Sequence, residues 1–227
     1  MSYYKEATMN QLYLILFTFI GNVHGSVPHT HTGKFEGYSP SQLLAQHLDA
    51  QAEQVLEKGG VHKHYLDGDH SNRFVMIQNV NAPPNAVLKQ IVDYNNYSKK
   101  VPQTLESEIY GTNRNDKKEI FFARLKCGMR GFSTQFFIKS EYHKNHNSVV
   151  WRLDYDHLSD IDEACGCWRA EPHPSSPNEK TRLYCSVDMS LGSRVPRFVA
   201  SFITKKAVRD AVAWVKKQSE KTAQNVF

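Results

Sequence analysis

The stretch from Val80 to Pro102, VNAPPNAVLKQIVDYNNYSKKVP, constrains the fold more than any other part of this chain. It reads as the end of a strand that delivers the chain into a proline-started helix, which then stops at tyrosines. Asn81 or Ala82 can sit at the cap, and Pro83 and Pro84 fit a first turn whose N–H groups lack intrahelical partners anyway. Val87, Leu88, Ile91 and Val92 recur on one face at helical spacing. Tyr94, Tyr97 and Pro102 then close the unit.

The segments around it supply a sheet for that helix to lie on. Arg73 to Val80 reads as a strand, preceded by another near Val61 to Leu66 across a turn at Asp67-Gly68-Asp69. Further strands are expected at Leu105 to Tyr110, Glu119 to Cys127, Gly131 to His143, Val149 to Tyr155, Cys165 to Glu171 and Thr181 to Met189. Their aromatic load, with Phe121, Phe122, Phe136, Phe137, Trp151 and Trp168 among it, exceeds what a thin sheet needs, so something must cover the inner face. The run from Pro196 to about Lys221 is that cover: Val199, Phe202, Ile203, Ala207, Ala211, Val212 and Val215 follow helical spacing, with basic residues on the other side. The expected class is α+β, a curved antiparallel sheet wrapped around a long C-terminal helix, with two short helices near a cavity mouth at Tyr94 and Tyr97. Ahead of it, Ser39-Pro40-Ser41-Gln42 forms a capping-box start, and Leu44, Leu48, Ala52 and Val55 mark the stripe of an extra N-terminal helix ending at Gly59-Gly60.

At 227 residues, 40% hydrophobic and 22% charged, the chain is large enough for one domain with a real core plus N-terminal extras. The expected division is a signal peptide at 1–25, a linker and accessory helix at 26–60, and a ligand-binding domain at 61–223. Leu12 to Ile20 is an apolar run too short to span a bilayer comfortably, and Val23 and Gly25 occupy the small-residue positions before a cut. It reads as a secretory signal cleaved after Gly25, with an uncleaved anchor helix as the alternative. The expected location is therefore the secretory pathway, secreted or lumenal, with onward delivery to an organelle left open. Asn96-Tyr97-Ser98 is a glycosylation acceptor triplet compatible with that route. Cys127, Cys165, Cys167 and Cys185 are too few for a disulfide scaffold. Cys165 and Cys167 share a strand face, and either can meet Cys185 on a neighbouring strand, so one cross-strand disulfide is an open expectation.

The net charge of +5 is unevenly spread. From Gly192 onward, Arg194, Arg197, Lys205, Lys206, Arg209, Lys216, Lys217 and Lys221 oppose only Asp210 and Glu220. Asp154, Asp156, Asp160, Asp162 and Glu163 cluster with no Lys or Arg between them. Such asymmetry suits peripheral contact of the basic last helix with an anionic membrane; the plainer reading is a solvated helix face beside an acidic loop. No nucleic-acid motif accompanies the charge, and nucleic acid is not expected as a partner.

Taken in order, these pieces resemble the START-like, or helix-grip, superfamily (SRPBCC), most closely its polyketide cyclase/dehydrase and lipid-transport group, which includes coenzyme Q-binding proteins. The residues that carry the resemblance run from about Arg73 to Glu220. They are Val80, Ala82, Pro83, Pro84 and Val87, then Asp93, Tyr94 and Tyr97, then Val101 and Pro102. Later come Gly166, Trp168, Arg169, Glu171 and Pro172, then Thr181, Leu183 and Tyr184, and finally Val195 and Pro196. The resemblance implies a cavity for a hydrophobic ligand such as a lipid, quinone, sterol or pigment, and usually no chemistry. It also implies that Tyr94 and Tyr97 stand at the lid over the cavity mouth, where ring and hydroxyl can meet the body and head of a ligand.

The lining expected for that cavity is Val87, Ile91, Tyr94, Tyr97, Phe122, Phe136, Trp151, Trp168, Phe198 and Phe202. No catalytic residue, metal ligand or cofactor is expected. An aromatase, cyclase or dehydratase would need a buried acid or base, with Arg124, Arg152, Arg169, Tyr94, Tyr142, Tyr155 and His157 available. Eleven histidines invite zinc, but none stands with a C-x-x-C partner, and Ala164 and Cys165 spoil a calcium loop begun at Asp160. The expectation is a binding, and by extension a carrying, protein. The alternatives are the cyclase-type enzyme and an interaction module with a filled interior.

Overall fold

The computed structural model describes residues 28–31, 33, 35–37, 39–65, 73–129, 132–191, 210 and 212–224. The expected signal peptide, Phe198 and Phe202 lie outside these residues. Eight strands form one sheet: β1 (Val61–Tyr65), β2 (Phe74–Val80), β3 (Thr104–Arg114), β4 (Glu119–Met129), β5 (Phe132–His143), β6 (Ser148–Leu153), β7 (Glu163–Pro172) and β8 (Thr181–Ser190). The order is β1-β2-β8-β7-β6-β5-β4-β3, and every neighbouring pair is antiparallel. Each strand falls where the alternating pattern placed it. β3 to β8 run as a meander, so the segment 81–103 must carry the chain from β2 to the far edge of the sheet, and the proline-started unit does this.

That crossover contains α3 (Pro84–Ile91), a 3₁₀ turn at Tyr94–Asn96 and α4 (Tyr97–Lys100). Pro84 opens α3, where a missing N–H costs nothing, and Val87, Leu88 and Ile91 are its buried stripe. The helix lies on β7 and β6, the 3₁₀ turn and α4 lie on β3, and the C-terminal α5 (Ala213–Gln224) packs against α3 and β2. Two bulges, at Leu105 and Tyr110, interrupt the pairing of β3 with β4. Bulges add twist and bend an edge strand. The Ile109 N–H on that edge is taken by Asn95 Oδ1 at 2.8 Å, which blunts it against further strand pairing.

Strand alternation separates two faces, and the register continues across the sheet in rows. On the inner face one row runs Phe121, Ser140, Trp151, Gly166, Val187, Phe74, and the next runs Tyr142, Val149, Trp168, Cys185, Met76. Apart from Ser140 and Gly166, these residues belong or pack to the main core, together with Val87, Leu88, Ile91, Val212, Trp214 and Val215 from the helices. A second, smaller core lies on the outer face, where Val75, Ile77, Cys167 and Tyr184 meet Leu43 and Leu56. Every residue of β2 is buried because both its faces are covered.

The outer cover is the N-terminal strap, and here the structure departs from the expected single helix. The strap forms α1 (Pro40–Leu44) and α2 (Ala50–Glu57). Ser39 and Gln42 make the expected capping box, but Asp49 starts a new helix by accepting the Ala52 N–H at 2.7 Å. The break rephases the apolar stripe. Leu43, Ala52 and Leu56 are buried, whereas Leu44 and Val55 are exposed. α2 ends as expected: Gly59, at φ 79°, sends its N–H to Leu56, and Gly60 sends its own to Val55 at 2.8 Å.

The cross-strand disulfide is also overturned. Cys167 stands opposite Ser186, so Cys185 points to the other face, one in the outer core and one in the main core. Cys165 stands opposite Asp188, and all four cysteines are free.

Candidate functional site

The inner face of the sheet and the helices above it enclose the candidate ligand site. Val87, Ile91, Tyr94, Tyr97 and Trp168 are buried there, and Phe136 and Trp151 are half-buried against the same core. Phe122 is the exception. Its neighbours Phe121 and Ala123 take the inner positions of β4, so alternation turns Phe122 outward, where its ring lies 6.0 Å from Tyr110. Phe121 holds the position expected of it.

An aromatic series links the last helix to the sheet. The Trp214 ring meets Tyr97 edge-on at 5.1 Å, Tyr97 lies 4.9 Å from Tyr94, and Tyr94 lies 6.1 Å from Phe121. The Tyr94 O–H donates to Ser140 Oγ at 2.7 Å, and the Tyr97 O–H donates to the Ile91 carbonyl. Both rings are thus fixed by their hydroxyls as well as by packing. Burial pushes Tyr94 up to about 12, with the Ser140 hydrogen bond pulling the other way. Tyr97 is raised well above its ordinary value, first by burial and then by Tyr94 and Asp93. Burial likewise raises the Cys185 thiol and lifts Cys127 to about 11. These groups therefore stay neutral at ordinary pH, and none is tuned toward acid–base work there.

The arginines weighed for chemistry face away. Arg124, Arg152 and Arg169 alternate with the inward residues Ala123 and Leu125, Trp151 and Leu153, Trp168 and Ala170. Arg124 pairs with Glu108 and Glu106 at 2.8 and 2.9 Å, and Arg169 bonds Glu171 and the His146 carbonyl. His157 lies 4.8 Å from Phe137, stacked on it outside the core, with Nδ1 3.0 Å from Asp154.

The acidic stretch is partly built into the fold, with Asp156 and Asp162 left exposed. Asp154 and Glu163 are buried. Asp154 also accepts from Tyr110, Glu163 accepts from Tyr155 at 3.1 Å, and Asp160 accepts the Gln135 N–H at 2.7 Å. His29 reaches Asp162 at 3.1 Å. Among the described residues no His, Cys, Asp or Glu side chains gather as a metal-holding group.

Residues 80–216, more than half of the chain, match the family model described as polyketide cyclase / dehydrase and lipid transport. The chain belongs to this family. Comparison with curated proteins finds no match. Among solved structures, this family member is similar to a START superfamily protein from Mycobacterium smegmatis, at 17% identity and TM-score 0.51, covering 70% of this chain and 100% of that one. It is similar to a STAR-related lipid transfer protein fragment from Xanthomonas axonopodis, at 15% identity and TM-score 0.54, covering 70% and 92%. It is also similar to the Zhui aromatase/cyclase from Streptomyces sp. R1128, at 17% identity and TM-score 0.53, covering 68% and 94%. At such identities the likeness carries the START-like, helix-grip fold alone. The family match begins at Val80, so the strap, β1 and all of β2 but its last residue precede it.

Sequence reasoning missed Ser140, Phe121 and Trp214. A usable signal existed for the first two. Once Phe136 is placed inward, Ile138 and Ser140 follow at every second position, and the β4–β5 register puts Phe121 beside Ser140.

Proposed function

We propose that this chain binds a hydrophobic small molecule between the inner face of the sheet and the helices, and carries it without chemical change. The observation that supports this most is the character of the inner face. Apart from Ser140 and Gln78 its rows are apolar or aromatic, its tyrosines and thiols are held neutral, and the arginines needed for charge stabilisation stand on the other face. A site of this kind favours burial of apolar ligand surface over charge development. Native mass spectrometry with organic extraction of the gently purified chain tests the reading. A discrete lipid, quinone, sterol or pigment at near-stoichiometric amount is the expected result. An empty chain that also takes up nothing from liposomes overturns it and leaves the cyclase-type enzyme and the filled-interior interaction module.

A cyclase or dehydratase is the second reading, favoured by the family description and by the aromatase/cyclase among the similar structures. It requires turnover that Tyr94→Phe abolishes while ligand affinity survives.

For location we propose the secretory pathway, on the strength of the 1–25 segment, and peripheral contact with anionic membranes through the basic last helix. Lys217 and Lys221 are exposed on α5, whereas Lys216 is engaged with Glu220 and the Asn79 carbonyl. Liposome association that rises with phosphatidylserine and falls with salt is expected. Association blind to both removes the membrane reading.

A further inference from the structure

Gln78 lies on β2 between Met76 and Val80, opposite Leu183, and all three of these belong to the main core. Its side chain therefore stands on the inner face. Only 3% of it is exposed, and its Oε1 has no hydrogen-bond partner among the described residues. Ser219 on α5 is fully buried on the same helical face as Val212 and Val215, and its Oγ is also unpartnered among the described residues.

The two elements that hold these oxygens are clamped together. Lys216 Nζ donates to the Asn79 carbonyl at 2.7 Å, and the Asn81 N–H donates to Glu220 Oε1 at 2.9 Å. Both orphaned oxygens thus lie along the junction of β2 and α5. Ser140, the partner of Tyr94, stands on β5, with β6, β7 and β8 between it and β2. The interior therefore has a satisfied polar pair on one side and an unsatisfied one on the other. Buried polar atoms in native interiors are nearly always hydrogen-bonded, and leaving an acceptor unmade is costly.

We propose that Gln78 Oε1 and Ser219 Oγ anchor a hydroxyl head group of the hydrophobic ligand. The inference rests on the carrier reading above. The alcohol or phenol O–H donates to Gln78 Oε1, and its oxygen accepts from the Ser219 hydroxyl. An ether, an ester or a quinone carbonyl has no proton to give Oε1, so the site selects hydroxylated ligands over their capped forms.

Displacement of bound 1-anilinonaphthalene-8-sulfonate by 1-dodecanol and by methyl dodecyl ether tests this, because the two probes share a flexible chain and differ in the donor. The alcohol is expected to bind about tenfold more tightly than the ether, the worth of one buried hydrogen bond. Gln78→Met, close in volume, is expected to erase that difference while leaving the ether's affinity unchanged, and Ser219→Ala to narrow it. The empty Gln78→Met chain should melt at or above the parent temperature, because the buried Oε1 makes no hydrogen bond that the change could remove. Equal affinity of the two probes for the parent chain, or discrimination that survives Gln78→Met, overturns the anchor and leaves the carrier reading standing. A lower melting temperature for empty Gln78→Met also overturns it, by showing a structural role. Failure of both probes to displace the dye removes the carrier reading along with the anchor.

Discussion

The Tyr94 hydroxyl donates to Ser140 Oγ at 2.7 Å, joining the turn after α3 to the middle of an otherwise apolar row on β5 and its neighbours. Both residues are buried, so the bond acts in a medium that strengthens it and penalises its loss. Tyr94→Phe leaves Ser140 without its donor and is expected to destabilise the chain by about 1 kcal/mol, with Ser140→Ala similar. The pair should couple by about 1 kcal/mol in a double-mutant cycle read by urea denaturation. Additive effects would mean that the bond does not hold the crossover to the sheet.

The same burial makes Tyr94 a source of alkaline instability. Its folded value, about 12, lies above the ordinary tyrosine value of 10.0. Its contribution is complete below the unfolded value and is lost as pH rises through the folded one, because only the unfolded chain releases the proton in between. Denaturant midpoints should therefore fall between about pH 10 and pH 12, and Tyr94→Phe should flatten that fall. An equal slope in both chains would count against a buried, neutral Tyr94.

Gly166 is placed by a close approach and not by backbone conformation. A Cβ there would lie 2.6 Å from the ring of Trp151, its cross-strand partner. Gly166→Ala is expected to cost about 1–3 kcal/mol by overpacking. Combined with Trp151→Leu, which vacates the space, the same change should cost clearly less than it does alone. Thermal melts of the two single variants and the double variant decide this, and a Gly166→Ala penalty unchanged by Trp151→Leu would refute the contact.

Much of this was legible in the sequence because β-strands alternate strictly and each segment announces its own pattern. All eight strands and the capping box of α1 follow from local rules, whereas α3 is capped by Pro83, with no side-chain hydrogen bond, and not by Asn81 or Ala82 as expected. What escaped depends on phase. Phe122 was misplaced because choosing between it and Phe121 requires knowing which parity faces inward, and two adjacent phenylalanines hide the answer. The disulfide failed for the same reason, since a one-residue register difference sets Cys185 and Cys167 on opposite faces. The strap stripe slipped because Asp49 restarts the helix, and a cap inside a continuous apolar pattern leaves no mark in the periodicity. Gln78 drew no attention because a lone glutamine in a strand carries no signal until its neighbours are known to be buried.

The strap yields the most direct test of the two-faced sheet. Leu43 and Leu56 are nearly inaccessible and cover Val75, Ile77 and Cys167 on the outer face. Arg182 ties α2 to β8 through both Glu53 oxygens at 2.7 Å, and His173 reaches Glu57 at 3.2 Å. At the other end His31 donates from Nδ1 to the Asp162 carbonyl at 2.8 Å and accepts the Ser159 N–H on Nε2 at 3.2 Å, which only the neutral ring can do. Truncating Leu56 to Ala should cost about 2–5 kcal/mol through the lost packing and the cavity left behind. The loss falls on the strap side, so Cys167, fully buried in the intact chain, becomes the reporter. Its reaction with a thiol reagent under native conditions should quicken in Leu56→Ala and in His31→Ala, whereas Cys185, on the main-core side, stays protected. Labelling followed by peptide mass analysis separates the two thiols. Equal protection of Cys167 in all three chains would show that the strap does not guard the outer core, and simultaneous exposure of both cysteines would show that the two cores unfold as one.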